Sequence, residues 1–358
     1  MSSRLSGVAA LGAVALLLSG CVGEEQVAVG VDELHIGVLG AVTPAQQAFL
    51  DRMDELSEGS ILVDVQEEWP ASGGDSAEVS LAKAVLAGDV DIAWVPVRAL
   101  TAVGAKGIDA LQAPLLVQTH DQQRAVALGV PGEIIRNSLR NTGVTGLALL
   151  PGQTQYPVAP GPLADLSQWA GTTIAVGAAG ASNATESATV EAFGGTATIA
   201  GDDPVADVAS GSVAAAAGDL DDLVANASAD GPIMTGNVPL WPEMSMVLAN
   251  SSLLDRLSSR QHGFLDGAVV RAQDEAMAAP DELTGLNAVC AIAPSFTYAT
   301  RDQLAAFQDA AKPVYAALEK DAAESRLLKA IQEVVKQHAG TGILGVSSSC
   351  VWVAPPAA

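Results

Sequence analysis

Apolar positions along the chain change their period several times, and each change marks an element. Between residues 73 and 98 both periods occur in succession. Val79, Ala82, Val85 and Leu86 fall on one face at helical spacing, with Ser76 as a cap before them and Gly88 as a stop after them. Residues 89–95 then read as a buried strand that breaks at Pro96. A helix feeding a strand that runs out to a small, turn-prone tip, here 94–98, is how α/β sheets present a ligand at the carboxyl ends of their strands.

The same alternation surrounds that stretch. Residues 34–39 predict a strand. Thr43 caps a helix with Pro44 in its first position, running to about 58 with Phe49, Leu50, Met53 and Leu56 inward. A second strand is expected at 61–65, which makes the first sheet parallel. Helices at 119–128 and 131–141 and a strand at 144–150 follow, and the chain is expected to cross to a second lobe at Pro151-Gly152.

The second lobe repeats the plan: strand 172–176, a small-residue loop 177–183, a helix opening at Ser182, and strand 196–199. A strand at 243–249 returns to the first lobe. Apolar positions from 252 to 278 predict one amphipathic helix of about seven turns, long enough to brace both lobes. Two more helices are expected at 302–318, kinked at Pro313, and at 322–337. The expected division is 1–21 leader, 22–32 tether, 33–152 with 243–290 as the first lobe, and 153–242 with 291–358 as the second.

Charge narrows the function. The 358 residues carry a formal net charge of −24, and the 17 Lys and Arg residues form no run. This excludes nucleic acid and anionic headgroups as partners. An anionic solute would need a local cation to be held.

The amino terminus reads as an export signal. Arg4 precedes an apolar run at 8–18, too short to span a membrane, and the run ends Leu18-Ser19-Gly20-Cys21. That ending resembles the lipobox of bacterial lipoproteins. It implies lipidation of Cys21, two acyl chains, and a protein held on the extracytoplasmic face of the cell membrane. Outside the cytoplasm, Cys290 and Cys350 are expected to form a disulfide.

Enzyme readings lack their parts. Ser80-Leu81-Ala82-Lys83 matches the Ser-x-x-Lys of penicillin-binding enzymes, but neither Ser-Asp-Asn nor Lys-Thr-Gly occurs. The four histidines have no metal-ligand spacing, so no metal and no cofactor are expected. Asp202-Asp203 and the acids at 219, 221 and 222 read as solvated loop.

Several stretches in order resemble the solute-binding proteins of tripartite ATP-independent (TRAP) transporters. They are Leu86-Ala87-Gly88-Asp89-Val90-Asp91-Ile92-Ala93, the segment 113–121, the run 163–176, Ile233-Met234-Thr235-Gly236-Asn237, and the helix start Leu254-Asp255-Arg256-Leu257-Ser258. The resemblance implies an α/β, two-lobed, periplasmic-binding-protein-like (Venus-flytrap) fold with crossover strands and a brace helix. It implies a monomer that captures a small solute, usually a carboxylate, for TRAP-type permease subunits.

One departure stands out. Ala175 occupies the place where the family usually pairs a substrate carboxylate with Arg. The solute is then a neutral polar molecule, or another cation such as Arg98 has taken over. Thr43, Trp94, Gln153, Thr154, Ser182 and Asn237 complete the candidate ligand-binding residues. The competing reading is a degenerate binding fold, a surface or regulatory lipoprotein without a transported ligand.

Overall fold

The structure is a computed structural model that describes residues 30–278, 282–293 and 295–353. Cys21, the leader and most of the tether lie outside the described residues.

The first lobe begins with β1 (Glu33–Gly37), α1 (Pro44–Ser57), β2 (Leu62–Gln66), α2 (Ala77–Ala87) and β3 (Ile92–Pro96). Local chemistry sets these boundaries. Thr43 and Gln46 form a reciprocal capping box at the start of α1, and the Ser76 hydroxyl accepts from the Val79 N–H at the start of α2. Gly88 ends α2 in the left-handed conformation at φ +84°, where a side chain would be strained. α3 (His120–Leu128), α4 (Val130–Asn137) and β4 (Val144–Leu150) follow.

The second lobe holds β5 (Thr154–Ala159), α5 (Leu166–Trp169), β6 (Thr173–Val176), α6 (Ala184–Ala192), β7 (Thr196–Ile199) and α7 (Pro204–Ser210). It continues with β8 (Ala215–Gly218), α8 (Leu220–Ala225), β9 (Ile233–Thr235) and β10 (Trp241–Pro242). The chain then returns through β11 (Ser245–Asn250) and continues as α9 (Ser251–Arg256), α10 (Ser259–Ala276), α11 (Glu282–Ile292), β12 (Phe296–Thr297), α12 (Arg301–Leu318) and α13 (Ala322–Gln337).

Two sheets result. The first has the order β2-β1-β3-β11-β4, with β1 parallel to β2 and β3 and with β11 antiparallel to β3 and β4. The second has the order β12-β9-β5-β8-β6-β7, with β10 on β5. Two short segments, 151–153 and 243–244, cross between them side by side. The Glu243 N–H donates to the Gln153 carbonyl at 2.8 Å. A Cβ at Gly152 would collide with the Glu243 carbonyl, so only glycine permits this approach.

The brace differs from the expectation. The predicted helix over 252–278 is two helices, because Leu257 is extended (φ −65°, ψ 135°) and Ser258 opens α10 with a capping box to Gln261. The apolar period continues across the break because Leu253, Leu257, Phe264, Leu265 and Ala268 all enter one first-lobe core. The helix that spans the lobes is α12. Phe307 and Ala311 lie in the second-lobe core, while Val314 and Leu318 lie in the first-lobe core. Pro313 stands inside α12 where it passes from one to the other.

The C-terminal third also divides differently. Leu286 and Val289 of α11 pack with Tyr156 and Leu220 of the second lobe. Leu327, Leu328 and Ile331 of α13 pack in the first-lobe core. A division at residue 290 is therefore corrected: α11 goes with the second sheet and α13 with the first. Cys290 and Cys350 are joined, with Cα atoms 5.0 Å apart, as expected.

Candidate functional site

A cavity of about 300 Å³ lies between the lobes, at the carboxyl ends of β3 and β6. On the first-lobe side Pro96 ends β3 and Arg98 follows it, Ser76 to Glu78 open α2, and Glu243 comes from the return crossover. On the other side the wall is Val176 at the end of β6, Gly177 and Ala178 after it, then Asp202 and Pro204 at the start of α7. Asp219 and Asp222 of α8, with Gln155 and the buried Trp241, complete it.

Beside the cavity the lobes touch. The Ser76 N–H donates to the Ala179 carbonyl at 3.0 Å. The Ser182 N–H donates to Thr101 Oγ1 at 2.9 Å, and Ser182 Oγ donates to Asp109 Oδ2 at 2.7 Å. Gly180 packs against Asp75, at φ +85°.

The charge balance of the cavity is acidic. Arg98 is the lone cation among the described lining residues, and it is already paired twice. Its Nε donates to Glu78 Oε1 at 2.9 Å and its Nη2 lies 2.8 Å from Glu243 Oε1. Burial works against its charge, but Glu243 and Glu78 outweigh burial and hold it firmly protonated. Burial raises Glu78 above the usual carboxylate range, with Arg98 opposing.

The other acids have less help. Asp219 accepts from Gln155 Nε2 at 3.2 Å and from the Asp222 N–H at 3.0 Å, as the cap of α8. Burial pushes both upward; the charge of Asp222 adds to this at Asp219, and the charges of Glu243, Asp203 and Asp221 add to it at Asp222. Behind the Gly177 wall lies Glu186, 1% exposed. A Cβ at Gly177 would meet Glu186 Oε2 at 2.5 Å. Neither carboxylate oxygen of Glu186 has a hydrogen-bond partner among the described residues. Burial pushes its carboxyl up to about 8.

Of the residues expected to bind ligand, Arg98 borders this cavity; the others lie elsewhere. Thr43 caps α1. Trp94 is 5% exposed and packs edge-on against Phe49 at 5.1 Å. Together with Thr43 and Gln153 it borders a separate recess. Gln153 donates to Asp221 at 2.8 Å, and Thr154 accepts from Gln123 at 3.2 Å. Ala175 is buried with Val208 and Ala216, one residue short of the lining Val176. Ser182 bridges the lobes. Asn237 binds the Ala299 backbone, donating at 2.7 Å and accepting at 2.8 Å.

Sequence reasoning missed Glu78, Glu186, Glu243 and Trp241, and it took Asp219 and Asp222 for solvated loop. The Asp219-x-x-Asp222 spacing directly after the small-residue strand β8 was the available signal: it is a capping box at a strand end.

No family model matches the chain, and no curated protein matches it. Solved structures do. A TRAP periplasmic solute-binding protein from Chromohalobacter salexigens with bound D-glucuronate superposes with a TM-score of 0.72 at 15% identity, covering 84% of this chain and 100% of that one. One from Sulfurospirillum deleyianum with bound succinate gives 0.72 at 17%, covering 85% and 99%. The sugar acid binding protein of Advenella mimigardefordensis, in complex with galactonate, gives 0.70 at 14%, covering 87% and 99%. The fold is that of these two-lobed binding proteins, which the sequence resemblance anticipated.

Proposed function

We propose that the protein is a membrane-anchored, extracytoplasmic solute-binding lipoprotein that captures a small organic solute between its lobes for a TRAP-type permease. The observation that carries this reading is the cavity of about 300 Å³ walled by both lobes. It lies at the strand ends where α/β sheets bind ligands, and its size suits a small metabolite. The structural neighbours supply the analogy: they are solute-binding proteins with small acids bound.

A solute touching both walls binds the shut arrangement better than the open one, and that difference drives closure. The segments 151–153 and 243–244 are short and hydrogen-bonded to each other, as a hinge should be. Anchoring rests on Leu18-Ser19-Gly20-Cys21. No described helix is long and apolar enough to cross a membrane. The lipid on Cys21 would hold the receptor beside its permease, and Cys21→Ser would release the protein from the membrane fraction.

The second reading, a lipoprotein with no transported solute, is favoured by one observation: Arg98 is satisfied by the chain's own Glu78 and Glu243. Thermal denaturation of the full chain across a metabolite library, followed by small-angle scattering with each hit, separates the two. A compound that raises the melting temperature and shrinks the radius of gyration supports capture. A library without such a compound supports the second reading.

A further inference from the structure

We propose that the captured solute is an organic cation, its ammonium or guanidinium group seated among Asp219, Asp222 and Glu243 and its carbon skeleton against Trp241. This rests on the reading of the interlobe cavity as the solute site, and it names the solute class.

The first ground is what Arg98 does. A guanidinium that is to grip a carboxylate presents a free bidentate edge. Here Nε and Nη2 are both turned to Glu78 and Glu243, at 2.9 and 2.8 Å. The chain has placed its own carboxylates where an anionic solute would need to be.

The second ground is the surplus of acid. Five lining carboxylates, from Glu78, Asp202, Asp219, Asp222 and Glu243, face one guanidinium. The positive end of α2, which would otherwise favour an anion, carries Glu78 in its first turn. A cation entering this space stabilises the ionised forms of these acids, whereas an anion adds to the repulsion that Asp219 and Asp222 already feel.

The third ground is independent of the lining. Glu186 is fully buried behind Gly177, and both its oxygens are unpartnered among the described residues. Buried carboxylates are normally paired. The positive charge that acts on it is that of Arg98, which Glu78 and Glu243 already occupy, and a cation added to the cavity would favour its ionised form.

A bare metal ion fits less well. Among the described residues no group of three or more His, Cys, Asp or Glu is arranged to hold one. The buried indole of Trp241 and the apolar Leu39, Pro96 and Val176 walls instead suit methylene groups and the face of an organic cation.

The test is calorimetric titration of the full chain with putrescine, agmatine, glycine betaine, succinate, D-glucuronate, mannitol and calcium chloride. It is repeated on the doubly substituted Asp219→Asn, Asp222→Asn chain, whose fold is checked by circular dichroism. The expected result is binding of an amine or guanidine probe, weakened at least tenfold by the double substitution, with no heat from the acids. Should the double substitution unfold the chain, Trp241→Phe is titrated instead, with a severalfold weaker amine affinity expected. Tighter binding of succinate, glucuronate, mannitol or calcium overturns the cation assignment. A bound acid or mannitol would still leave solute capture standing. Amine binding unchanged by the substitutions also overturns the assignment. Silence from every probe overturns both this inference and the capture reading.

Discussion

Ser182 Oγ donates to Asp109 Oδ2 at 2.7 Å, and this bond joins the second lobe to the first beside the cavity. Ser182 is thus part of the contact that holds the lobes together, not a ligand contact. Its N–H adds a second bond, to Thr101 Oγ1 at 2.9 Å, which a side-chain change leaves in place.

Ser182→Ala should therefore weaken the shut arrangement without touching the cavity. A hydrogen bond to a charged group is worth about 1.5–3 kcal/mol. The expected outcome is a larger mean radius of gyration in small-angle scattering and a solute affinity reduced about tenfold. An unchanged scattering profile would show that the bond does not bias closure.

Arg98→Met should be severely destabilising. It leaves Glu78 and Glu243 close together with no cation between them. Removing one partner of a buried ion pair costs about 3–5 kcal/mol. Adding Glu78→Gln to the variant should recover part of the loss, because one of the stranded charges is then gone. Urea denaturation midpoints of the single and double variants check this.

Stability should fall as pH rises from about 5 to about 8. Burial holds the Glu186 carboxyl up to about 8, against 4.5 for a freely solvated glutamate. Between those values the folded state keeps a proton that the unfolded chain releases. Unfolding is then favoured progressively with rising pH, and the loss is complete above the folded value. Asp219 and Asp222, also raised by burial, act in the same direction. Glu186→Gln should melt higher than the parent at pH 8 and about level with it at pH 4, as read by thermal scans at both pH values.

Cys290→Ser should lose the cross-link that ties α11 to the chain's end. The bridge closes a separation of 60 residues. On the chain-entropy model such a loop contributes about 4 kcal/mol. Denaturation of the parent with and without reductant should show a difference of that size, and the variant should be indifferent to reductant.

Much of the scaffold was legible because its signals are local. Thr43 and Ser76 announce helix starts, Gly88 announces a stop, and two cysteines in a chain whose start reads as an export signal announce a bridge. Ser258 and Gln261 announce a helix start as clearly, but the apolar stripe runs through the break and hides it. The site was less legible because its character is tertiary. Glu186 in the first turn of α6 looks like any acid favoured by a helix dipole, until α6 is packed behind Gly177. Asn237 looks like a ligand-binding amide until Ala299, 62 positions away, is seen to satisfy it. Ala175 lies one residue short of the cavity, and the acids that line it come from segments the sequence keeps far apart.

Native mass spectrometry of the protein released from its own membranes tests capture most directly. The account predicts a folded chain heavier than its lipidated mass by one small organic molecule, which leaves on unfolding and carries a positive charge in solution. A folded chain at its bare lipidated mass, unchanged after incubation with an extract of the source cells, would contradict it.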